Sequence, residues 1–159
     1  MDDKELNVII AGSRNFNNYE VLRYVCDKLL ERRLAEGYKI TIISGHAKGA
    51  DTLGELYAKE RGFDVKIFEP DWKRYGKRAG GIRNGKMAEV GNALIAFPLG
   101  ESPGTRDMIK KATEKNLIVR EITEEYQNLI QTEINHDRFN YKIHKQPNHS
   151  RGIRMGRQA

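Results

Sequence analysis

Five short apolar segments constrain the fold of this chain more than any other feature. They cover residues 6–11, 39–44, 64–68, 93–97 and 117–122. The segments between them carry apolar residues at helical spacing, at residues 19–33, 49–61, 83–89, 105–115 and 124–134. Apolar runs that lack in-out alternation are typical of parallel strands covered on both faces. The pattern predicts an α/β, Rossmann-like fold with a five-stranded, mostly parallel sheet and helices on both faces.

Composition and length agree with one globular domain. The chain has 159 residues, of which 38% are hydrophobic, which suffices for a single core. It contains neither an apolar run of about 20 residues nor the layout of a signal peptide, so we expect a cytoplasmic protein without a membrane partner. The lone Cys26 cannot form an internal disulfide. No metal site or cofactor motif is recognised, and residues 69–81 are predicted to form the longest loop.

The positive charge is concentrated near the end of the chain. The formal net charge is +6, and residues 136–159 contain six basic residues against one acidic residue, or +5. Residues 1–135 are therefore close to neutral, which argues against a nucleic-acid face on the domain itself. We expect a domain at 1–135 and a basic, flexible tail at 136–159, with nucleic acid bound only through the tail. We also expect the chain to form a homo-oligomer.

In a parallel α/β fold, ligands bind beyond the carboxyl ends of the strands, so the loops there are the candidate site. After the first segment, a glycine, a hydroxyl and a cation suit a phosphate, although an ordinary turn has the same composition. After the second, two glycines at a helix entrance form a stronger candidate anion site. There, a general base is one reading of the histidine. For the aspartate a structural role is favoured, either as a helix cap or in orienting Ser44 and the backbone of this loop. These candidates are Gly12, Ser13, Arg14, Ser44, Gly45, His46, Lys48, Gly49 and Asp51.

The polar stretch after the third segment holds the only tryptophan, Trp72, together with Lys77, Arg83 and Asn84. A base or sugar could stack on Trp72, although burial over the sheet is an equal alternative. Arg83 is predicted at a helix start, where the helix dipole disfavours a cation unless an anion joins it. We therefore expect Arg83 to bind phosphate and Asn84 to read a polar edge of the ligand.

The loop after the fourth segment offers a second anion site, at Pro98, Gly104 and Thr105. Asp107 follows, and it could hydrogen-bond ribose hydroxyls or act on a glycosidic bond. Its alternative role is compensation of the helix dipole in the first turn. Two anion sites and an arginine suit a ligand with more than one phosphate, or with a phosphate and a ribose.

These pieces, in this order, resemble the SLOG superfamily and specifically its YspA-like branch. The matching motifs are Gly12-Ser13-Arg14, Ser44-Gly45-x-Ala47-x-Gly49-Ala50-Asp51, Asp71-Trp72, Gly76-Lys77-x-Ala79-Gly80-x-Ile82-Arg83-Asn84-x-x-Met87, Ala96-Phe97-Pro98 and Gly104-Thr105. The resemblance implies a Rossmann-like domain that binds nucleotide-derived ligands. Its wider relatives include phosphoribohydrolases, the DNA-processing protein DprA and sensors of ADP-ribose-type signals. Such a domain could also serve a phage against nucleotide-signalling defence.

Three functions follow from these observations. The first is a module that senses or sequesters an ADP-ribose-like molecule, a cyclic nucleotide or a nucleoside phosphate. The second is a phosphoribohydrolase that uses Asp107 and Arg83. The phosphoribohydrolase motif has a glutamate where this chain has Asp107, and a glycine pair where it has Glu101-Ser102-Pro103. The binding module is therefore favoured. The third, a nucleic-acid contact through the basic tail, is the weakest.

Overall fold

A computed structural model describes residues 4–144. Its centre is one five-stranded sheet with the order β3-β2-β1-β4-β5, in which every paired strand is parallel. The strands are β1 (Glu5–Gly12), β2 (Lys39–Ser44), β3 (Asp64–Ile67), β4 (Ala93–Phe97) and β5 (Ile118–Glu121). Each predicted strand is present to within about two residues, and the Rossmann-like fold class is confirmed.

The helices alternate with the strands. They are α1 (Tyr19–Ala35), α2 (Ala50–Arg61), α3 (Trp72–Tyr75), α4 (Ala79–Val90), α5 (Pro103–Glu114) and α6 (Glu124–His144), and a 3-10 turn at Gly76–Arg78 joins α3 to α4. Asn18 begins α1, since its side-chain oxygen accepts the N–H of Val21. Gly62 ends α2 in the left-handed conformation, with φ of 74°.

The strand order reverses between β1 and β4, and this point fixes where a ligand site can lie. The chain moves outward from β1 through β2 to β3, then crosses back to place β4 on the other side of β1. In the β1–β4 pair, Val8 lies beside Ala93 and Gly12 beside Phe97. The loops after β1 and β4 thus diverge from adjacent strand ends, which leaves a crevice between them.

Apolar side chains cover both faces of the sheet. On one face, side chains of α4 and α5 pack on the sheet through Met87, Ala88, Met108 and Ala112. On the other, α2 approaches β1 closely, since a Cβ added at Gly54 would lie 2.8 Å from a side-chain atom of Ile10. This approach changes which residues of α2 are buried. Tyr57 is buried, but Leu56 is 41% exposed, and the small residues Gly54 and Ala58 are buried beside Tyr57 instead.

The predicted loop at residues 69–81 is wrong. It contains α3, the 3-10 turn and the first turn of α4, which begins at Ala79 rather than at Arg83. The glycines of this stretch suggested a loop, but Gly80 and Gly81 lie within α4. Asp71 begins α3 by accepting the N–H of Arg74 at 3.2 Å. Arg83 is therefore the fifth residue of α4 and not a residue at the helix start.

The chain divides into two units, Met1–Glu124 and Glu125–Ala159. In the second unit, α6 continues to His144, ten residues beyond its predicted end, so the first part of the predicted tail is helical. The remainder of that tail, residues 145–159, lies outside the described residues. Within residues 4–144 there is no helix long and apolar enough to cross a membrane.

Candidate functional site

A cleft of about 610 Å³ opens at the carboxyl ends of the strands in the first unit. It lies at the β1–β4 crevice. Its walls come from the loops after β1, β2 and β4, from the starts of α2 and α5, and from the segment after β3, which comprises α3, the 3-10 turn and the first half of α4. Eleven of the residues predicted from sequence line it: Gly12, Ser13, Arg14, Asp51, Trp72, Lys77, Arg83, Asn84, Gly104, Thr105 and Asp107. Four segments that are distant in sequence therefore meet in one cleft.

A series of hydrogen-bonded hydroxyl groups links the loop after β1 to the loop after β4. Ser13 Oγ lies 2.9 Å from Ser102 Oγ, which lies 2.6 Å from Thr105 Oγ1. Ser13 Oγ also accepts the N–H of Leu99 at 2.7 Å. These hydroxyls are already used by one another, so they fix the shape of the cleft, and the predicted role of Ser13 as a phosphate ligand gains no support from its contacts.

The loop after β2 contacts the loop after β1 through Gly49. Gly49 has φ of 82°, and a Cβ there would lie 2.3 Å from the carbonyl oxygen of Ser13. The next N–H, that of Ala50, donates to this same oxygen at 3.2 Å. The first N–H of α2 therefore binds the neighbouring loop and is not available to an anion. This glycine is required by both its backbone conformation and the close approach.

Asp51 is a buried carboxylate in the cleft wall. Its side chain is 6% exposed, and Oδ2 accepts the N–H of Ala47 at 3.1 Å. Burial raises the pKa of Asp51 to about 6, against the opposing effects of that hydrogen bond and of the charge of Arg83. Asp51 is the second residue of α2 and lies two positions after the cap residue Gly49, so of its two predicted structural roles the contacts show the bond to the loop backbone and not the helix cap.

Arg83 joins the ends of two strands. Its Nη1 donates to the carbonyl oxygens of Gly45 and, at 3.4 Å, Phe68, while Nε donates to Asn84 Oδ1 at 3.0 Å. Burial lowers the pKa of Arg83, and the carboxylate of Asp51 opposes this change. The sequence argument that placed Arg83 at a helix start was wrong, because α4 begins four residues earlier. Arg83 does line the cleft, and it also holds the site together.

Asp107 is held by two partners. Both of its oxygens accept Lys111 Nζ at 2.8 Å, and Oδ2 also accepts Asn84 Nδ2 at 2.9 Å. Asn84 in turn donates to the carbonyl oxygen of Gly104 at 3.3 Å, which links α4 to α5. Because α5 begins at Pro103, Asp107 lies beyond the first helical turn, and dipole compensation does not explain it.

Two groups of donors remain open to the cleft. The backbone N–H groups of Gly104 and Thr105, in the first turn of α5, have no acceptor within residues 4–144. The exposed guanidinium of Arg14 likewise has no hydrogen bond or ion pair with any described residue. The start of α5 and the loop after β1 therefore both present positive potential to the cleft.

Trp72 is not buried over the sheet. Its side chain is 52% exposed and lines the cleft beside Gly80, where an added Cβ would lie 3.7 Å from the indole ring. Lys77 lies on the same wall and forms no ion pair among the described residues. An accessible indole and a lysine at a cleft mouth can together contact a planar base and a phosphate.

Six predicted residues do not line the cleft: Ser44, Gly45, His46, Lys48, Gly49 and Pro98. His46 lies in a separate cluster, where its Nδ1 is 2.8 Å from Glu55 Oε2, and Ser44 Oγ donates to that same oxygen at 2.6 Å. The hydrogen bond with Glu55 raises the pKa of His46. His46 thus contacts α2, and the structure does not bring it to the cleft as a base.

Sequence reasoning missed several residues of the site. The important one is Lys111, which holds Asp107 and donates to the carbonyl oxygen of Gly81 at 3.1 Å. The i, i+4 spacing of Asp107 and Lys111 on a predicted helix was a sufficient signal for this pair. Lys111 does not itself line the cleft, and the lining residues that the sequence did not predict are Asn15, Ala47, Gly80, Gly81, Leu99, Glu101, Ser102 and Pro103.

Two solved structures share the fold. DprA from Streptococcus pneumoniae matches with a TM-score of 0.57 at 19% identity, over 74% of this chain and 50% of that chain. The protein TM1055 matches with a TM-score of 0.52 at 20% identity, over 73% of this chain and 72% of that chain. The chain spans half the length of DprA, and at these identities the likeness concerns the fold.

Sequence comparison identifies the family. The model of the YspA, cpYpsA-related SLOG family matches residues 6–75, from β1 to the end of α3. The Gene 61 protein of Mycobacterium phage D29 is 33% identical over 118 residues, which cover 70% of this chain and 92% of that protein. With the Rossmann-like sheet and the cleft at its reversal point, these matches show that the chain belongs to the SLOG superfamily, in the branch of YspA and cpYpsA-related proteins.

Proposed function

We propose that the protein binds a nucleotide-derived small molecule in the cleft, as a sensor or a sequestering protein. Membership in the SLOG superfamily supports a nucleotide-related binding or processing role. The observation that carries the proposal is the combination in one cleft of an open anion site, an accessible indole and a fixed carboxylate. A nucleotide has a phosphate for the anion site, a base for the indole and ribose hydroxyls for the carboxylate.

The phosphate lies, in this proposal, between Arg14 and the start of α5. The N–H groups of Gly104 and Thr105 lack protein acceptors, and Arg14 lacks an anionic partner among the described residues. A phosphate oxygen satisfies both at once, since helix N–H groups and a guanidinium are strong donors to anions. The predicted anion site after β2 is not part of this arrangement, because Ala50 already donates to Ser13.

The ribose and base occupy the opposite part of the cleft. Asp107 is oriented by Lys111 and Asn84, so its carboxylate can accept ribose hydroxyls without reordering. Trp72 supplies a stacking surface for the base. The ligand class is therefore ADP-ribose-like molecules, cyclic nucleotide signals or nucleoside phosphates, as the sequence suggested.

The contacts of Asp107 and Arg83 favour binding over hydrolysis. Both oxygens of Asp107 accept the ammonium of Lys111, and Oδ2 also accepts the amide of Asn84, so the protein itself fixes this carboxylate in place. Arg83 directs Nη1 to backbone carbonyls rather than to the centre of the cleft. Both groups are arranged as structural and positioning residues.

The proposal is tested by calorimetry with ADP-ribose, cyclic ADP-ribose, AMP and ADP, preceded by mass spectrometry of small molecules released from the denatured protein. Arg14→Ala should weaken binding roughly 10- to 100-fold, because one charge-assisted contact with phosphate is lost. Arg32→Ala, which removes an exposed arginine from α1, is the matched control. Equal affinities for the wild type and Arg14→Ala would contradict the phosphate site.

Turnover is tested with AMP as substrate and chromatography of free adenine and ribose 5-phosphate. We expect little or no product from the wild type, and we expect Asp107→Asn to weaken binding, because Asn retains the size but not the charge that Lys111 pairs with. Rapid release of adenine by the wild type, abolished in Asp107→Asn with binding intact, would instead establish the phosphoribohydrolase.

A further inference from the structure

Residues 72–78 form an exposed basic strip that the proposed small-molecule site does not use in full. We propose that this basic strip binds single-stranded nucleic acid, with one base stacked on Trp72 and the backbone phosphates on Lys73, Arg74, Lys77 and Arg78. Its proposed partner is a macromolecule, and it does not require the cleft to bind a free nucleotide.

The charge of the basic strip is concentrated and unneutralised. Four cations occur within six residues, all are exposed, and none forms an ion pair within residues 4–144. Because residues 1–135 carry only +1 in total, the same domain without this strip carries about −3. The near neutrality of residues 1–135 therefore conceals a local concentration of positive charge at the basic strip. The sequence argument against a nucleic-acid face used only the net charge of residues 1–135, and a net charge does not reveal such a local concentration.

Local structure keeps these cations free. Asp71, the acidic residue directly before the strip, uses Oδ1 to accept the N–H of Arg74 at the start of α3. The short helix and the 3-10 turn that follows it carry all four cations within six consecutive residues. Arg74 lies 5.4 Å from the centre of the Tyr75 ring, an arrangement that leaves its guanidinium N–H groups available to phosphate.

The position of Trp72 selects the form of nucleic acid. An exposed indole next to clustered cations is the combination by which proteins bind single strands, because stacking needs a base that is not enclosed in a duplex. Lys77 and Trp72 line the cleft, whereas Lys73, Arg74 and Arg78 do not. A free nucleotide in the cleft cannot reach all four cations, but several consecutive nucleotides can.

The experiment uses the full chain and a fluorescently labelled 15-nucleotide thymidine strand. Trp72 is the only tryptophan, so its intrinsic fluorescence should be quenched on binding while the anisotropy of the label rises. Lys73→Ala/Arg74→Ala should reduce the slope of log K against log salt by about 1.4, since each phosphate contact on a single strand contributes about 0.7. At 0.05 M salt, this corresponds to a loss of affinity on the order of 50-fold.

Two controls make the result specific to the basic strip. Lys59→Ala/Lys115→Ala removes the same charge from two exposed lysines near the ends of α2 and α5, and should leave the slope unchanged. A chain that ends at residue 144 loses the four cations of residues 145–159, and should still quench Trp72 on binding. Trp72→Ala should lose roughly 5- to 100-fold in affinity, by analogy with other stacking residues.

Several outcomes would overturn the proposal. These are an unchanged salt slope in Lys73→Ala/Arg74→Ala, binding without quenching of Trp72, tighter binding of a duplex of the same length, or loss of binding only on removal of residues 145–159. None of them bears on the small-molecule proposal, which Arg14→Ala tests separately.

Discussion

The cleft and the basic strip are built from the same kinds of residue but differ in how their polar groups are used. In the cleft, the side chains of four residues form hydrogen bonds or ion pairs with other groups of the protein. We refer to these residues, Asp51, Arg83, Asn84 and Asp107, as the paired group. The cations of the basic strip form no ion pairs among the described residues. The paired group is partly or fully buried, where an unsatisfied polar atom is costly, whereas the strip is hydrated at little cost.

This difference distinguishes charged residues that maintain the structure from charged residues that can bind a ligand, a distinction that the sequence alone did not provide. Charged residues with protein partners hold three loops at fixed positions, so their removal should lower stability first. Charged residues without partners can contact an incoming anion, so their removal should leave stability intact and lower affinity. The predictions below compare the two regions on that basis.

The largest effect is expected at the contact that supports the paired group. Gly49→Ala places a Cβ 2.3 Å from the carbonyl oxygen of Ser13 at a φ of 82°, and both the clash and the backbone strain oppose folding. We expect a loss of about 3 kcal/mol or more in the free energy of unfolding, measured by urea denaturation. A loss below about 1 kcal/mol would show that the two loops separate easily. Gly62→Ala, at a φ of 74° with no atom near its Cβ, is the control for strain without the clash.

Asp51 should make stability depend on pH. Burial raises its pKa to about 6, from 3.8 in the unfolded chain, so the folded state favours the protonated form. This contribution to stability is complete below pH 3.8 and is lost as the pH rises through 6. The difference in unfolding free energy between wild type and Asp51→Asn should therefore change by about 3 kcal/mol between pH 3.5 and pH 7.5, with the wild type relatively less stable at the higher pH. A difference independent of pH would mean that this carboxyl titrates normally.

A matched pair of substitutions compares the two regions directly. Arg83→Ala should lower the free energy of unfolding by about 2 kcal/mol, because it removes the donor to Gly45 and Phe68 and leaves the buried Asp51 without its nearby cation. Lys77→Ala in the basic strip should change it by less than about 0.5 kcal/mol. Thermal and urea denaturation of both variants measure the contrast. Equal losses of unfolding free energy in the two variants would show that hydrogen bonding within the protein does not make Arg83 more important for stability than Lys77.

The smallest effect is expected at His46, outside both regions. Its hydrogen bond with Glu55 raises the pKa of the imidazole, so the bond stabilises the folded state at low pH and is lost as the pH rises through the raised pKa. His46→Ala should lower the melting temperature slightly at pH 5.5, and less at pH 8.5. A larger decrease at pH 8.5 would show that His46 is held by something other than its charge.

The sequence predicted the strands and the edge of the sheet that carries the site, because each strand is a short apolar run that ends at polar or turn residues. It failed at residues 69–81, where the glycines indicated a loop, but Gly80 and Gly81 lie within α4 and Asp71 begins α3 by accepting the N–H of Arg74. That error moved Arg83 to a helix start and gave a false reason for its importance. The partners of Arg83 lie 15 and 38 residues away, beyond what local spacing indicates, whereas Asp107 and Lys111 are one turn apart and were within reach.

The pairing of β1 with β4 also sets the order in which this protein can acquire its site. The N–H of Asn7, in β1, donates to Asn92, which lies 85 residues later and immediately before β4. The central strand therefore cannot complete its pairing until most of the domain has been synthesised, and contacts of such long range slow folding. Asp107, its partner Lys111 and the open N–H groups of α5 all come from chain that is made after that point, whereas Asn84, the other partner of Asp107, is made before it. A nascent chain that stops before β4 has the basic strip in its sequence but no cleft to place beside it.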